Sequence, residues 1–125
     1  MGLKSRAPSN LQRLRDIIFA WPETSEKLSH GAPTFWGGKK TFASLHDGHY
    51  DEGRPGVWIK VPEGLQADLV AQDASRFYRP KYLGPSGWVG VRILSGDRWD
   101  QIEALLLLGY RSVAPKRCLA ALAEV

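Results

Sequence analysis

The chain has 125 residues, 43% hydrophobic and 24% charged. That is material for one core rather than two, and too apolar for a disordered chain. Seventeen Lys and Arg against thirteen Asp and Glu give a net charge of +4, a mild bias toward anionic partners such as nucleic acid, phosphometabolites or acidic proteins. No apolar run approaches the ~20 residues that cross a bilayer, the opening "MGLKSRAPSN" lacks an apolar signal segment, and the lone Cys118 precludes an internal disulfide. The expectation is a single cytoplasmic domain over 1–125, with 1–8 a flexible N-terminal segment and no membrane partner.

Helical spacing of Leu11, Leu14, Ile17 and Ile18 predicts a first helix over Ser9–Ala20, capped by Ser9 or Asn10 and ended by Trp21-Pro22. The pattern then turns extended. Lys27–His30, Thr34–Trp36 and Lys40–His46 read as short strands, punctuated by Pro33 and by Gly37-Gly38. The polar, glycine-rich His46–Gly56 reads as a loop, and Val57–Val61 as an alternating strand. Pro62 and Glu63 open a second helix running to about Gln72, followed by the basic and aromatic loop "RFYRPKYLGPSG". Trp88–Ile93 alternates again. Asp97 is placed to cap a third helix bearing Trp99, Ile102, Leu105 and Leu106, and Pro115 to begin a last helix ending near Ala123. Short connections between strands favour antiparallel pairing, so the expected class is α+β: a two-layer sandwich with an antiparallel sheet and helices on one face.

In such a sandwich Val57, Ile59, Val61, Val89, Val91 and Ile93 face the helices, and Trp58, Lys60, Trp88 and Arg92 fall on the other face. An aromatic and basic face either presents a platform to a flat, anionic ligand or lies beneath loops over which lysine stems extend. Periodicity leaves both open. Lys116 and Arg117 sit just after Pro115, where positive charge opposes the helix dipole unless an anion or a nearby carboxylate offsets it. In "RFYRPKYLGPSGW", Arg76, Arg79 and Lys81 alternate with Phe77, Tyr78, Tyr82 and Trp88, a mixture used in single-strand binding and equally in loops pinned by their aromatics. "HDGHYDE" is read as a solvated loop, since no second His/Cys cluster fixes a metal geometry. Cys118 reads as a small core residue. With no Ser-His-Asp signature, phosphate-cradling loop or dinucleotide fingerprint, neither catalytic residue, metal nor cofactor is expected.

Taken together, "SHGAPTFWGGKKTFASL", "IKVP", "RFYRPKYLGPSGWVGVRI" and "WDQIEALLLLGYRSVAPKRCLA" resemble the MmcQ/YjbR family, in order and spacing, over about Leu11–Leu122. The matching positions are His30, Gly31, Phe35, Lys40, Phe42, Lys60, Phe77, Tyr82, Gly87, Trp88, Pro115 and Lys116. The glycine pair lies one position earlier than in the family's hairpin. The resemblance implies a compact YjbR-like fold, akin in shape to secretion chaperones, and a DNA-binding label derived from a "double wing" arrangement.

These readings converge on a non-catalytic DNA-binding domain, for double-stranded DNA with little sequence choice, monomeric or weakly homodimeric. Lys39, Lys40, Lys60, Arg79, Lys81, Arg92, Lys116 and Arg117 are the expected phosphate or anion contacts. His30, Trp36, Trp58, Tyr82 and Trp88 are the expected stacking or pocket residues. The alternatives are a small-molecule pocket for an anionic ligand, binding or catalytic, roofed by the tryptophans with His30 and Lys60 inside, and a protein-interaction module.

Overall fold

The computed structural model describes residues 8–123, so the expected flexible segment 1–8 lies, Pro8 apart, outside the described residues. Over the described span four helices and six strands alternate in the order α1 (Asn10–Ile18), β1 (Thr24–Ser29), β2 (Ala32–Gly37), β3 (Lys40–His46), β4 (Gly56–Ile59), α2 (Leu65–Gln72), β5 (Phe77–Tyr78), β6 (Val89–Arg92), α3 (Asp100–Val113) and α4 (Lys116–Ala123). The strands form one antiparallel sheet in the order β1-β2-β3-β4-β6-β5. The helices pack on one face of it, giving the α+β sandwich. No helix among the described residues is long and apolar enough to cross a membrane.

The turns follow from local chemistry. His30 and Gly31, both left-handed (φ 52° and 82°), join β1 to β2, the two-residue pattern whose twist suits a hairpin. Gly38, at φ 64°, and Lys39 join β2 to β3. A Cβ on Gly38 would lie 2.9 Å from the Pro115 ring, and one on Gly37 3.0 Å from Val113. The glycine pair of "WGGKK" therefore lets the hairpin tip rest against the α3–α4 junction, a contact any side chain would push apart.

Strand alternation sorts the two faces. Phe35, Ala43, Ile59 and Val89 align across the sheet, as do Leu45, Val57, Val91 and Phe77. Together they build the core with Leu14 and Ile18 of α1, Leu69 of α2, Ile102, Leu106 and Tyr110 of α3 and Cys118 of α4. A register shift beside Phe35 adds one residue to β3, so Phe42 and Ala43 are both fully buried in that core. All six predicted core positions on β4, β6 and their flanks belong to the cluster or pack against it. Burying a Val or Ile side chain contributes roughly 1.5–3 kcal/mol, which is what commits this face to the helices.

The helix ends differ in detail from expectation. Ser9 caps α1, its Oγ accepting from the Gln12 N–H at 3.1 Å. Helix α3 starts at Asp100, three residues after Asp97. The Asp97 carboxylate instead accepts from the Leu94 and Trp99 N–H groups and pairs with Arg76, organising the turn ahead of the helix. Burial pushes its pKa up, but those hydrogen bonds and Arg76 outweigh that and hold it below the ordinary range. The two-residue β5, read as loop in the sequence, closes the sheet beyond β6.

Candidate nucleic-acid interface

The outer face of the sheet is covered around Trp58 and Trp88, and this corrects several expectations. Trp58 is 3% exposed and Trp88 7% exposed. Neither ring is free to stack on a ligand. Residues 46–56 fold back so that His46 stacks on Trp58 with ring centroids 3.6 Å apart, and Tyr50 lies 5.8 Å from it. From the other side Tyr78 lies across Gly90, where a Cβ would collide with its ring, and its hydroxyl accepts from the Trp58 indole N–H at 3.0 Å. Trp58 is thus enclosed by loop, strand and hydrogen bond.

Arg92 is a structural cation rather than a phosphate contact. Its Nε and one Nη donate to the Asp51 carboxylate at 2.8 and 3.1 Å, and the other Nη donates to the Ala74 and Ser75 carbonyls, both at 3.0 Å. Its guanidinium also lies 4.7 Å from the Tyr78 ring. Asp51 in turn pairs with Arg54. Burial pushes the Asp51 carboxyl up, but Arg92 and Arg54 outweigh this and leave its pKa lowered. The loop "HDGHYDE" is therefore a fitted cover, buried at Gly48 and Asp51, rather than a solvated excursion. Among the described residues no group of three or more His, Cys, Asp or Glu is placed to hold a metal ion. His46 is half-buried, bonded through Nε2 to Ser44 Oγ at 2.9 Å, and burial lowers its pKa to about 4 against a small opposing pull from Asp47.

The helix-start cluster is partly neutralised from within. Arg117 donates twice to the Glu23 carboxylate, at 2.7 and 2.6 Å. Those hydrogen bonds hold Glu23 below its ordinary pKa. Burial pushes the pKa of the Cys118 thiol up, and it pushes that of Tyr110 up to about 12. Glu23 is the carboxylate that offsets the unfavourable dipole position of Arg117. Around this pair lies a depression of about 480 Å³ lined by Glu23, Gly38, Lys39, Lys40, Val113, Pro115 and Arg117. Lys39, Lys40 and Lys116 are all exposed. The packing of Gly38 on Pro115 is what brings the hairpin lysines to the start of α4.

The remaining predicted residues are spread over the molecule. His30 is an exposed hairpin-turn residue bonded to Ser29, so it lines no pocket with Lys60, which is half-buried beyond the end of β4. Trp36 is half-buried on β2 beneath the Lys27 ammonium at 5.0 Å. Arg79 is exposed, its Nε donating to Gln66 Oε1 at 3.1 Å, and Gln66 in turn ties the Gly84 and Trp88 carbonyls to α2. Lys81 and Tyr82 are exposed in the loop after β5.

A division between the two basic residue types emerges. Every ion pair among the described residues is made by arginine, and none by lysine. The planar guanidinium fork suits fixed, bidentate partners, and the hydrated ammonium stays on the surface. Sequence reasoning missed the partners Glu23 and Asp51 and the aromatic cover from Tyr50 and Tyr78. Only the acids were visible as a signal, and nothing local said which cation each would meet.

No protein-family model matches the chain, and none of the curated proteins matches it.

Proposed function

We propose that the protein is a non-catalytic DNA-binding protein of the MmcQ/YjbR type, acting in the cytoplasm as a monomer or weak dimer and holding its ligand through phosphates. The observation that carries this reading is the convergence of Lys39 and Lys40, exposed and without carboxylate partners among the described residues, on one depression at the start of α4, beside the Glu23-paired Arg117. Lys116 extends the same cationic end. Phosphate contacts of this kind position a nucleic acid without reading its sequence. Backbone N–H groups at the first turn of α4 add to the attraction for an anion.

Titration of a duplex of about twenty base pairs, followed by fluorescence anisotropy across a salt series, tests it. Log affinity falls with log salt at a slope of about −0.9 for each phosphate engaged. Binding with no dependence on salt, or no binding at low salt, contradicts the reading.

The size of the same depression favours one other occupant, a small phosphorylated or carboxylated molecule held by Lys39 and Lys40 beside the Glu23–Arg117 pair. A metabolite panel that competes with duplex at micromolar concentration supports this second reading. Competition only by other polyanions supports the first.

A further inference from the structure

On the covered face one aromatic pair is left open. Tyr82 is 69% exposed and Tyr50 44% exposed, and their rings meet edge to face at 5.7 Å and 89°. Tyr50 packs against the buried Trp58 at 5.8 Å and against the His49 ring at 4.7 Å. The pair is therefore the solvent end of a continuous aromatic cluster rooted in the sheet. The Lys81 ammonium stands 5.9 Å from the Tyr50 ring and 5.8 Å from the Tyr82 ring, at the outer limit of a cation–π contact, so little holds it back from a stronger anion. Among the described residues it has no carboxylate partner.

The backbone reinforces this. Tyr82 has φ 70°, and the Leu83 N–H donates to the Lys81 carbonyl across it at 2.8 Å. That is a γ-turn of the positive-φ kind, rare and strained for a residue with a side chain. A glycine would sit there without strain, yet the position holds a large ring and displays it to water.

We propose that Tyr50, Tyr82 and Lys81 form a site for an unpaired nucleobase and its adjoining phosphate. It rests on the preceding reading and adds to its phosphate contacts a site for a single-stranded stretch of the polynucleotide. Exposed phenol faces take another π-face, and the ammonium takes the phosphodiester beside it. Paired bases keep their faces inside the duplex stack, so only an unpaired base can reach the rings.

The test compares twelve-nucleotide labelled strands, long enough at about 3.4 Å per nucleotide to span the sheet: oligodeoxythymidylate, oligouridylate, and an abasic strand with the same phosphates. The expected result is binding about fivefold or more tighter for a base-bearing strand than for the abasic one, the gain a stacked base provides. A gain with either sugar supports the site, and a gain with neither overturns it. Tyr82→Gly should reduce the base-bearing strand to the abasic level without lowering the melting temperature, because glycine relieves the turn. Tyr82→Phe should retain the gain, and Lys39→Ala/Lys40→Ala should weaken both strand types together. Unchanged binding by Tyr82→Gly with a lowered melting temperature assigns the ring to packing and overturns the inference. Equal binding of all strands overturns this inference alone; no binding of any strand or duplex overturns the preceding reading with it.

Discussion

At the His46 end of β3, Arg92 is buried against Asp51 and two carbonyls, and Trp58 lies sealed between His46, Tyr50 and Tyr78. At the Lys40 end, roughly 20 Å away along the strand, Lys39 and Lys40 stand exposed over a depression whose only carboxylate among the lining residues is already paired with Arg117. Both ends are rich in cations, but one spends its charge on the fold and the other leaves it free. Counting basic residues cannot tell these apart. Asking what each cation already touches can: Arg92 and Arg117 are held by carboxylates, and among the described residues Lys39 and Lys40 meet none.

The sharpest way to break the comparison is to remove a cation from the paired end. Arg92→Met removes the buried partner of Asp51, leaving it only the half-exposed Arg54, and frees the Ala74 and Ser75 carbonyls; it should cost about 3 kcal/mol by urea denaturation, the low end for breaking a buried pair. A loss under 1 kcal/mol would mean that the outer-face network is not structural. Acidification should act on the same region. The folded state keeps His46 neutral down to about pH 4, whereas an unfolded histidine protonates near 6.5. Between those values the unfolded chain binds more protons, so stability is full above about pH 6.5 and falls as pH drops toward 4. The loss is at most roughly 3 kcal/mol, less where water reaches the half-buried ring. His46→Gln should flatten the melting-temperature profile across this window.

Gly38→Ala probes the join between the hairpin and α4. It combines a left-handed φ with a 2.9 Å approach to Pro115, and a cost of about 1–3 kcal/mol is expected. If the join breaks, the phosphate affinity should fall with it, because the lysines lose their position beside Arg117. A variant of full stability and full affinity would show that the hairpin tip is not braced by the helix junction. The smallest stability change, within about 0.5 kcal/mol, is expected of Lys39→Ala/Lys40→Ala.

Much of the architecture was legible because it is periodic. Alternation in Val57–Val61 and Trp88–Ile93 placed the core face on the helices, and the spacing of Leu14 and Ile18 placed α1. The outer face was legible as a set of residues and illegible as a surface. Trp58 and Arg92 do alternate away from the core, but what covers them comes from elsewhere in the chain, Asp51 lying 41 residues from Arg92. Such long-range closure has no local signature. The same holds for Glu23, which meets Arg117 across 94 residues. Strand β5 was missed for a simpler reason: two residues are too few to show a period. The exposure of Tyr50 and Tyr82 depends on which aromatics the fold buries first, and that competition is settled only in three dimensions.

The most direct test of the contrast between the carboxylate-paired Arg92 and the exposed hairpin lysines is the salt dependence of duplex binding by the parent protein and by Lys39→Ala/Lys40→Ala. Losing two phosphate contacts should make the log–log slope shallower by about 1.8 while the melting curve stays in place. A slope identical to the parent's would contradict the account, as the hairpin lysines would then be ordinary solvated charge.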